Sequence, residues 1–242
     1  MSSLKHESQL LKNRQVRLEY LALLEEKARR KARRRFYDLF PDEGELRREL
    51  YKKHLHFFAD GAIHDERCFM AGNRVGKTEG AGYETVCHAT GLYPHWWEGH
   101  KFDRPINGLL SGDTGITTRD IIQRKLCGKW DDLGTGLIPG DNLIIEQCTR
   151  KQGIPEAYES IAVRHVSGGV STLKLRSYEQ GRKIFQGTEE DWIWFDEECP
   201  LDVYEEALIR TMTTNGLTVL TFTPLSGLTE LVMSFLESVG KL

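Results

Sequence analysis

The residues with the most specific chemistry lie at positions 67–78, where an apolar segment runs into a loop that ends in Gly76-Lys77-Thr78. A strand, then a loop, then a helix that begins at such a triplet is the context that a Walker A phosphate-binding motif requires. In that motif, backbone N–H groups surround the β-phosphate of ATP, Lys77 neutralises the β and γ oxygens, and the Thr78 hydroxyl binds Mg²⁺. We therefore expect ATP and Mg²⁺ as cofactors and a nucleotide-binding loop made of Gly72, Asn73, Arg74, Val75, Gly76, Lys77 and Thr78.

This loop departs from the usual Walker A pattern at one position. Ala71 stands where the first glycine normally lies, and Gly72 is displaced by one residue. A Gly-Lys-Thr triplet alone could also be an ordinary turn or helix end. The apolar strand before it and the small residues at 80–82 after it, which let a helix press on a sheet, favour phosphate binding.

A second chemical segment lies at 192–198, where the apolar run Trp-Ile-Trp-Phe ends in Asp196, Glu197 and Glu198. This pattern is typical of a Walker B segment, in which Asp196 would hold Mg²⁺ through its water shell. Glu197 would polarise the attacking water, which makes Glu197 and Lys77 the expected catalytic residues. Glu198 is expected to face away and to be solvated only. The alternative is a buried strand that ends at a charged surface.

A third apolar segment, 218–222, ends in Thr221-Phe222-Thr223-Pro224. The carboxyl ends of parallel strands line the ligand crevice of a doubly wound sheet. Thr221 or Thr223 could therefore sense the γ-phosphate and couple its loss to movement, although threonine is also common in strands for reasons of β-propensity alone.

The order of these segments predicts an α/β fold with a mainly parallel central sheet flanked by helices. We expect strands near 68–71, 107–111, 161–166, 172–175, 192–195 and 217–222, and helices near 77–90, 117–126, 201–212 and 228–239. The stretch 128–159 is expected to be loop with one strand around 143–145.

The N-terminal region is predicted to be an amphipathic helical arm, followed by a helix that ends at the Asp60-Gly61 turn. We assign 1–45 to this arm and 46–242 to a P-loop ATPase domain. Seven Lys and Arg residues between 27 and 35 leave a formal charge of −10 on the rest of the chain. This basic run could bind DNA phosphates, dock on an acidic partner, or form a solvated helix face.

The bulk properties exclude several classes of protein. With 242 residues, 39% hydrophobic and 29% charged, the chain is long enough for one large globular domain. It has no apolar run long enough for a membrane span and no secretory signal, so we expect a cytoplasmic protein.

The five scattered cysteines fit reduced core thiols, and the histidines do not have the spacing of a metal site. The residues His95-Trp96-Trp97 are expected to anchor a packed loop.

Several strings in this order resemble one family, the large terminase subunits of tailed bacteriophages, particularly those of short-tailed phages. The matching strings are Arg67-Cys-Phe-Met-Ala-Gly-Asn-Arg-Val-Gly-Lys-Thr78, Gln180-Gly-Arg182, Gln186-Gly187, Trp194-Phe-Asp-Glu-Glu198 and Leu220-Thr-Phe-Thr-Pro-Leu225. The resemblance runs from about Tyr51 to Leu231. It implies a P-loop NTPase of the additional-strand catalytic-glutamate class.

The resemblance also implies a function and a set of partners. The family forms a homo-oligomeric ring ATPase that docks on the portal protein, is recruited by a small terminase subunit, and pulls double-stranded DNA into a procapsid. We therefore expect work in the host cytoplasm at the procapsid portal, without incorporation into the virion. In isolation we expect a mostly monomeric chain with weak ATPase activity.

Carried over by position, the family's Walker A pair is Lys77 and Thr78, its Walker B pair is Asp196 and Glu197, and its coupling motif is Thr221 to Thr223. His54 stands where many members place a glutamine that reads adenine. The candidates for the arginine that completes the site are Arg74, Arg119, Arg124 and Arg182. The family's nuclease domain follows the coupling motif, so we do not expect this chain to cut DNA.

Two other functions remain open from the residues. The chain could be a nucleotide-binding adaptor with little turnover, in view of Ala71. It could also be another P-loop enzyme such as a small-molecule kinase, although kinases seldom need Asp-Glu at the Walker B position.

Overall fold

The centre of the molecule is a seven-stranded sheet, seen in a computed structural model that describes the backbone of residues 2–239 and the side chains of residues 14–236. Its strands are β1 Glu66–Met70, β2 Asn107–Gly112, β5 Thr149–Arg150, β6 Tyr158–Arg164, β7 Val170–Ser177, β8 Trp192–Asp196 and β9 Leu217–Phe222. The short strands β3 Gly128–Lys129 and β4 Asp132–Leu133 form a separate antiparallel pair.

The strand order is β1-β9-β8-β2-β7-β6-β5. All pairs from β1 to β7 are parallel, whereas β6 and β5 add an antiparallel edge. Strand β9 lies between the P-loop strand β1 and the acidic strand β8. That inserted strand defines the additional-strand class of P-loop NTPases, so the predicted fold class is confirmed.

Helices cover both faces of the sheet. They are α1 Ser2–Ala32, α2 Lys52–Asp60, α3 Lys77–Thr90, α4 Gly115–Thr117, α5 Arg124–Cys127, α6 Leu201–Leu208 and α7 Glu230–Val239, and a π-helical turn Thr118–Gln123 joins α4 to α5. Along β8, Trp192 and Trp194 pack in the core under α2 and α3, and Ile193 and Phe195 pack in the core with α6 and α7. This alternation follows from the two-residue period of a strand.

The N-terminal helical arm is attached to the rest of the protein at its basic end. Residues 14–32 of α1 are almost entirely exposed, but the 3-10 turn Arg35–Asp38 that follows buries Phe36. The Phe36 ring stacks on Tyr83 of α3 with 4.7 Å between centroids, and Gly140 N–H donates to Arg33 O at 3.2 Å. The division at 45/46 stays a prediction. No described helix is long and apolar enough to cross a membrane.

Most predicted elements agree with the structure, and the exceptions have physical reasons. The helix expected at 77–90 and the strand expected at 217–222 have those bounds. The helix expected at 201–212 ends at Leu208, where the chain enters turns that lead to Asn215 in a left-handed conformation. The strand expected at 143–145 is wrong, because Leu143 makes only a single bridge to Val163 and Ile145 begins a 3-10 turn.

Smaller sequence expectations are confirmed. All five cysteines are free; Cys87, Cys127 and Cys199 are buried, and Cys68 and Cys148 are half-buried and pack against the core. Trp97 is buried and stacks on Phe58 with 5.1 Å between ring centroids, so the loop at 95–97 is a packed anchor.

Candidate active site

The P-loop connects β1 to α3 and needs a left-handed backbone at two positions. Arg74 has φ 63° and Gly76 has φ 89°. A side chain on Gly76 would also meet His54, since a Cβ there would lie 3.2 Å from His54 Nε2. Gly72 has open space around its Cα. A side chain would therefore fit at position 72, whereas position 76 requires glycine.

His54 lies behind the P-loop. Its Nε2 is 3.2 Å from Gly76 O, and its ring packs edge-on against Phe69 at 4.9 Å. To donate to the Gly76 carbonyl, Nε2 must carry the proton. Burial lowers the pKa of His54, and the hydrogen bond to Gly76 partly offsets that effect. The expected contact with adenine stays a prediction; in the structure His54 supports the loop backbone.

Lys77 is 7% exposed, and its ammonium points into the loop. Its Nζ donates to Ala71 O at 3.0 Å, to Gly72 O at 2.7 Å and to the Thr223 hydroxyl at 2.9 Å. The Thr223 hydroxyl in turn donates to Asn73 Oδ1 at 2.8 Å. The Lys77 ammonium thus joins the P-loop to Thr223, the residue that follows β9.

Asp196, at the end of β8, accepts two hydroxyl hydrogen bonds on the same carboxylate oxygen. Thr78 Oγ1 donates to Asp196 Oδ1 at 3.0 Å, and Thr221 Oγ1 donates to it at 2.8 Å. Burial is the main cause that raises the pKa of Asp196 to about 6; the nearby Glu197 adds to this, and the two threonine hydroxyls oppose it. A bound divalent cation would counteract the burial effect by favouring the ionised carboxylate.

The donor set fits Mg²⁺. The described residues contain no cluster of three or more His, Cys, Asp or Glu side chains arranged to hold a metal. Mg²⁺ usually keeps several waters and binds through one or two protein oxygens plus the phosphates of its nucleotide. The Thr78 hydroxyl and the Asp196 carboxylate, joined by a 3.0 Å hydrogen bond, supply oxygen atoms of that kind.

Glu197 follows Asp196 with an unusual backbone. Its φ is 68°, in the left-handed region that costs a non-glycine residue free energy, and its side chain is exposed. Two contacts hold this conformation: Glu197 N–H donates to Thr221 O at 2.9 Å, and the Tyr178 hydroxyl lies 3.2 Å from Glu197 O and 3.0 Å from Asp196 O. The turn ends the strand alternation directly after Asp196 and leaves the Glu197 carboxylate open to solvent.

The expectation that Glu198 is only solvated is wrong. Its Oε1 accepts a short hydrogen bond from the Thr229 hydroxyl, and Thr229 Oγ1 also accepts from Val232 N at 3.3 Å in the first turn of α7. Glu198 therefore ties the end of β8 to the start of the last described helix. The sequence offered no signal for this contact, because the partners are 31 residues apart.

The four arginine candidates lie in different places. Arg74 is exposed on the P-loop. Arg119 pairs with its neighbour Asp120 at 2.8 Å, and Arg182 lies 3.6 Å from Glu206. Arg124 is exposed on α5. Of these four, Arg74 alone belongs to the loop that surrounds Lys77, and the identity of a completing arginine stays a prediction.

Two residues near the site were not singled out from the sequence. Tyr178 supports the backbone on both sides of the Asp196–Glu197 peptide, and Trp194 donates its indole N–H to Thr221 Oγ1 at 2.8 Å. Trp194 carried one signal: on β8 it is two residues from Asp196, so both side chains lie on the same face of the sheet.

The inserted β9, the P-loop and the Asp-Glu pair at the end of β8 together define a site of the P-loop NTPase class. The family model described as terminase large subunit, T4likevirus-type, N-terminal, matches residues 68–240. The chain belongs to this family.

One relative agrees with the family assignment. The large terminase subunit of Salmonella phage P22 is 33% identical over 244 residues, an alignment that covers 93% of this chain and 47% of the relative. The chain thus spans about half the length of this relative.

Solved structures of the large terminase from a thermophilic bacteriophage are also similar. A crystal form of that protein matches with 14% identity and a TM-score of 0.47 over 71% of this chain and 37% of the thermophilic phage protein. Its complex with ATP-γ-S matches with 14% identity and a TM-score of 0.48 over 71% and 36% of the two chains. Its complex with ADP has 15% identity, a TM-score of 0.43 and coverage of 71% and 37%.

Proposed function

We propose that this chain is the ATP-hydrolysing motor module that drives double-stranded viral DNA into procapsids. The observation that carries the proposal is the meeting of three chain segments at one side of the sheet. Lys77 of the P-loop is bonded to Thr223, and Asp196 is bonded to both Thr78 and Thr221. Membership of the terminase large subunit family supports double-stranded DNA as the molecule that this motor moves.

ATP would bind with its phosphates along the P-loop, where Lys77 neutralises the β and γ oxygens. Thr78 and Asp196 would hold Mg²⁺, which supplies charge neutralisation at the phosphates when bound. The buried His54, which stands where many family members place the adenine-reading glutamine, would hold the loop backbone through Gly76 O.

Glu197 is the residue that we assign to the attacking water. Its carboxylate would accept the water's proton while the oxygen bonds to the γ-phosphorus and the bond to the β–γ bridging oxygen breaks. ADP keeps the electron pair of the broken bond, and inorganic phosphate leaves. The exposed position of Glu197 and its fixed left-handed backbone support this assignment, since the base must be aimed before water arrives.

Thr221 and Thr223 would report the loss of the γ-phosphate. The Thr223 hydroxyl accepts a hydrogen bond from Lys77, which also donates to the P-loop carbonyls. The Thr221 hydroxyl donates to the same Asp196 oxygen as Thr78. A change in charge at the γ position would therefore alter hydrogen bonds at the end of β9.

In the assembled motor we propose a homo-oligomeric ring on the portal protein, recruited by the small terminase subunit, in the host cytoplasm at the procapsid portal. Each site would be completed by an arginine, either Arg74 of the same chain or one from a neighbour among Arg119, Arg124 and Arg182. The isolated chain would be mostly monomeric. If a neighbouring subunit supplies the arginine, the isolated chain would also have weak ATPase activity, because its site would be incomplete.

The test is the steady-state ATPase rate of the full chain, measured alone, with double-stranded DNA, and with DNA and portal. We expect a slow rate alone and stimulation of about 10³-fold in the complete mixture, the scale that a trans-acting arginine contributes. The same assay with Lys77→Ala should stay at background. Tight ATP binding without turnover in any mixture would instead establish a nucleotide-binding adaptor, and a phosphorylated small-molecule acceptor would establish a kinase.

A further inference from the structure

Trp194 points its indole N–H at the centre of the proposed site from within the core. Trp194 and Thr221 are both completely buried, and Asp196 is 3% exposed. Trp194 Nε1 donates to Thr221 Oγ1 at 2.8 Å, and Thr221 Oγ1 is 2.8 Å from Asp196 Oδ1. The three side chains form one chain of hydrogen bonds that runs from the core to the carboxylate.

The donor and acceptor of each of these hydrogen bonds follow from the number of protons available. An indole N–H can only donate, so it must occupy a lone pair of the Thr221 oxygen. The single Thr221 proton is then left with two acceptors, Asp196 Oδ1 at 2.8 Å and the Phe195 carbonyl at 3.4 Å. The nearer acceptor takes the proton. The indole therefore holds Thr221 as a donor to Asp196 and disfavours its alternative bond to the backbone.

This orientation matters for Asp196 because Thr78 uses the same carboxylate oxygen. Thr221 on one side and Thr78 on the other fix Oδ1 at 2.8 and 3.0 Å. None of the described residues donates to Oδ2 within hydrogen-bond distance. With its rotation fixed through Oδ1, the carboxylate presents Oδ2 in one direction only.

We propose that Trp194 is a positioning residue for Mg²⁺·ATP, whose indole N–H fixes the Thr221 hydroxyl so that Asp196 is held ready beside Thr78. This inference rests on the proposed function, since it deepens the account of the same nucleotide site. Side chains that orient the groups around a metal typically change its affinity about 10-fold to 100-fold when altered.

Strand β8 supplies its own control at Trp192. This residue is also completely buried, and its Nε1 donates to the Thr85 hydroxyl at 2.9 Å. The Thr85 hydroxyl then donates to Ala81 O within α3 at 2.7 Å. Thr85 lies about two helical turns beyond Lys77. The two tryptophans thus make the same kind of bond from the same face of the same strand, and only that of Trp194 continues to the carboxylate.

The experiment compares Trp194→Phe with Trp192→Phe in the full chain. Binding of a fluorescent ATP analogue is titrated with Mg²⁺, and the thermal unfolding midpoint of each variant is recorded. Each substitution removes one buried donor, so we expect similar losses of stability. The Mg²⁺ concentration for half-maximal binding should rise about tenfold in Trp194→Phe and stay at the parental value in Trp192→Phe, while Mg²⁺-independent binding of the analogue is unchanged in both.

Two further measurements keep the test decisive. If Trp194→Phe does not fold, benzothienylalanine at position 194 keeps the shape of the double ring and removes only the N–H; the same rise is expected. In the background Thr221→Val, the change at position 194 should have no additional effect, because the hydroxyl that it orients is gone.

The possible failures are distinguishable. If the parent binds the ATP analogue with Mg²⁺ and the two phenylalanine variants have equal Mg²⁺ dependence, the role of Trp194 is wrong and the proposed function stands. If the parent binds no nucleotide, both are overturned.

Discussion

Lys77 Nζ and the Thr223 hydroxyl lie 2.9 Å apart, although the two residues are separated by 146 positions in the chain. The ammonium has three N–H groups, and Thr223 accepts one of them while Ala71 O and Gly72 O accept the others. A γ-phosphate that draws on this ammonium must therefore compete with the end of β9. In the proposed mechanism, this competition would let the end of β9 respond to the state of the nucleotide.

Thr223→Val should weaken that response. The change removes one neutral acceptor from Lys77, a loss worth about 1 kcal/mol. We expect nucleotide affinity to change by less than about tenfold, and stimulation of ATP turnover by DNA and portal to fall more strongly. The measurement is the ratio of stimulated to unstimulated rate. Thr223→Ser keeps the hydroxyl and should keep the ratio, so equal ratios in the two variants would refute a coupling role.

The bond between Glu198 and Thr229 should matter for α7 rather than for hydrolysis. Thr229→Val removes the hydroxyl that donates to Glu198 and that accepts the hydrogen bond from Val232 N–H. Loss of a helix cap costs about 1 kcal/mol. We expect faster amide hydrogen exchange in Glu230–Val239 and an unchanged rate of bond cleavage in a single turnover. Unchanged exchange in α7 would show that the contact does not hold the helix.

The ion pair between Arg67 and Glu84 should dominate the stability of the P-loop strand and helix. Arg67 Nη2 lies 2.8 Å from Glu84 Oε1, and both side chains are almost completely buried. Arg67→Met would leave the carboxylate buried without its cation, which costs about 3–5 kcal/mol. Chemical denaturation measures this loss. Arg47→Met, at an exposed and loosely paired arginine, is the matched control and should change stability little.

The same pair predicts a pH dependence. Burial alone would raise the pKa of Glu84, but Arg67 and His88 together outweigh it, so the pKa lies below its usual 4.5. A lowered pKa in the folded state means that the pair stabilises the protein above the pKa of the unfolded chain and loses that contribution as pH falls through the folded value. In Glu84→Gln, Arg67→Met the stability should therefore fall less steeply below pH 4.5 than in the parent. Identical slopes would contradict the assigned direction.

The sequence was sufficient for the parts of the molecule that depend on local pattern. The P-loop strand, its helix and β9 follow from apolar runs, glycines and period, and the chain order of Lys77, Asp196 and Thr221 predicted the segments that the sheet brings together. Long-range side-chain pairs carry no such pattern. From the sequence, Glu198 is predicted to be an ordinary surface acid and Trp194 an ordinary core residue. The structure shows that Glu198 accepts a hydrogen bond from Thr229 and that the Trp194 N–H donates to Thr221.

The edge of the sheet was harder to predict for a different reason. Residues 128–159 contain three strands of two residues each, β3, β4 and β5. Such short segments have no measurable period, so neighbouring structure decides their conformation. The apolar residues 143–145 look like a strand in isolation, yet Leu143 pairs with β6 at a single bridge before the chain turns.

The central claim, that Glu197 activates the water that cleaves ATP, is tested most directly by single-turnover hydrolysis in Glu197→Gln and Glu198→Gln. Each protein is assembled with DNA and portal. Both variants should then bind Mg²⁺·ATP as tightly as the parent. Glu197→Gln should cleave ATP about 10²-fold to 10⁴-fold more slowly, the usual contribution of a positioned base, whereas Glu198→Gln should cleave at nearly the parental rate. Parental cleavage by Glu197→Gln, or an equal loss in the two variants, would contradict the account.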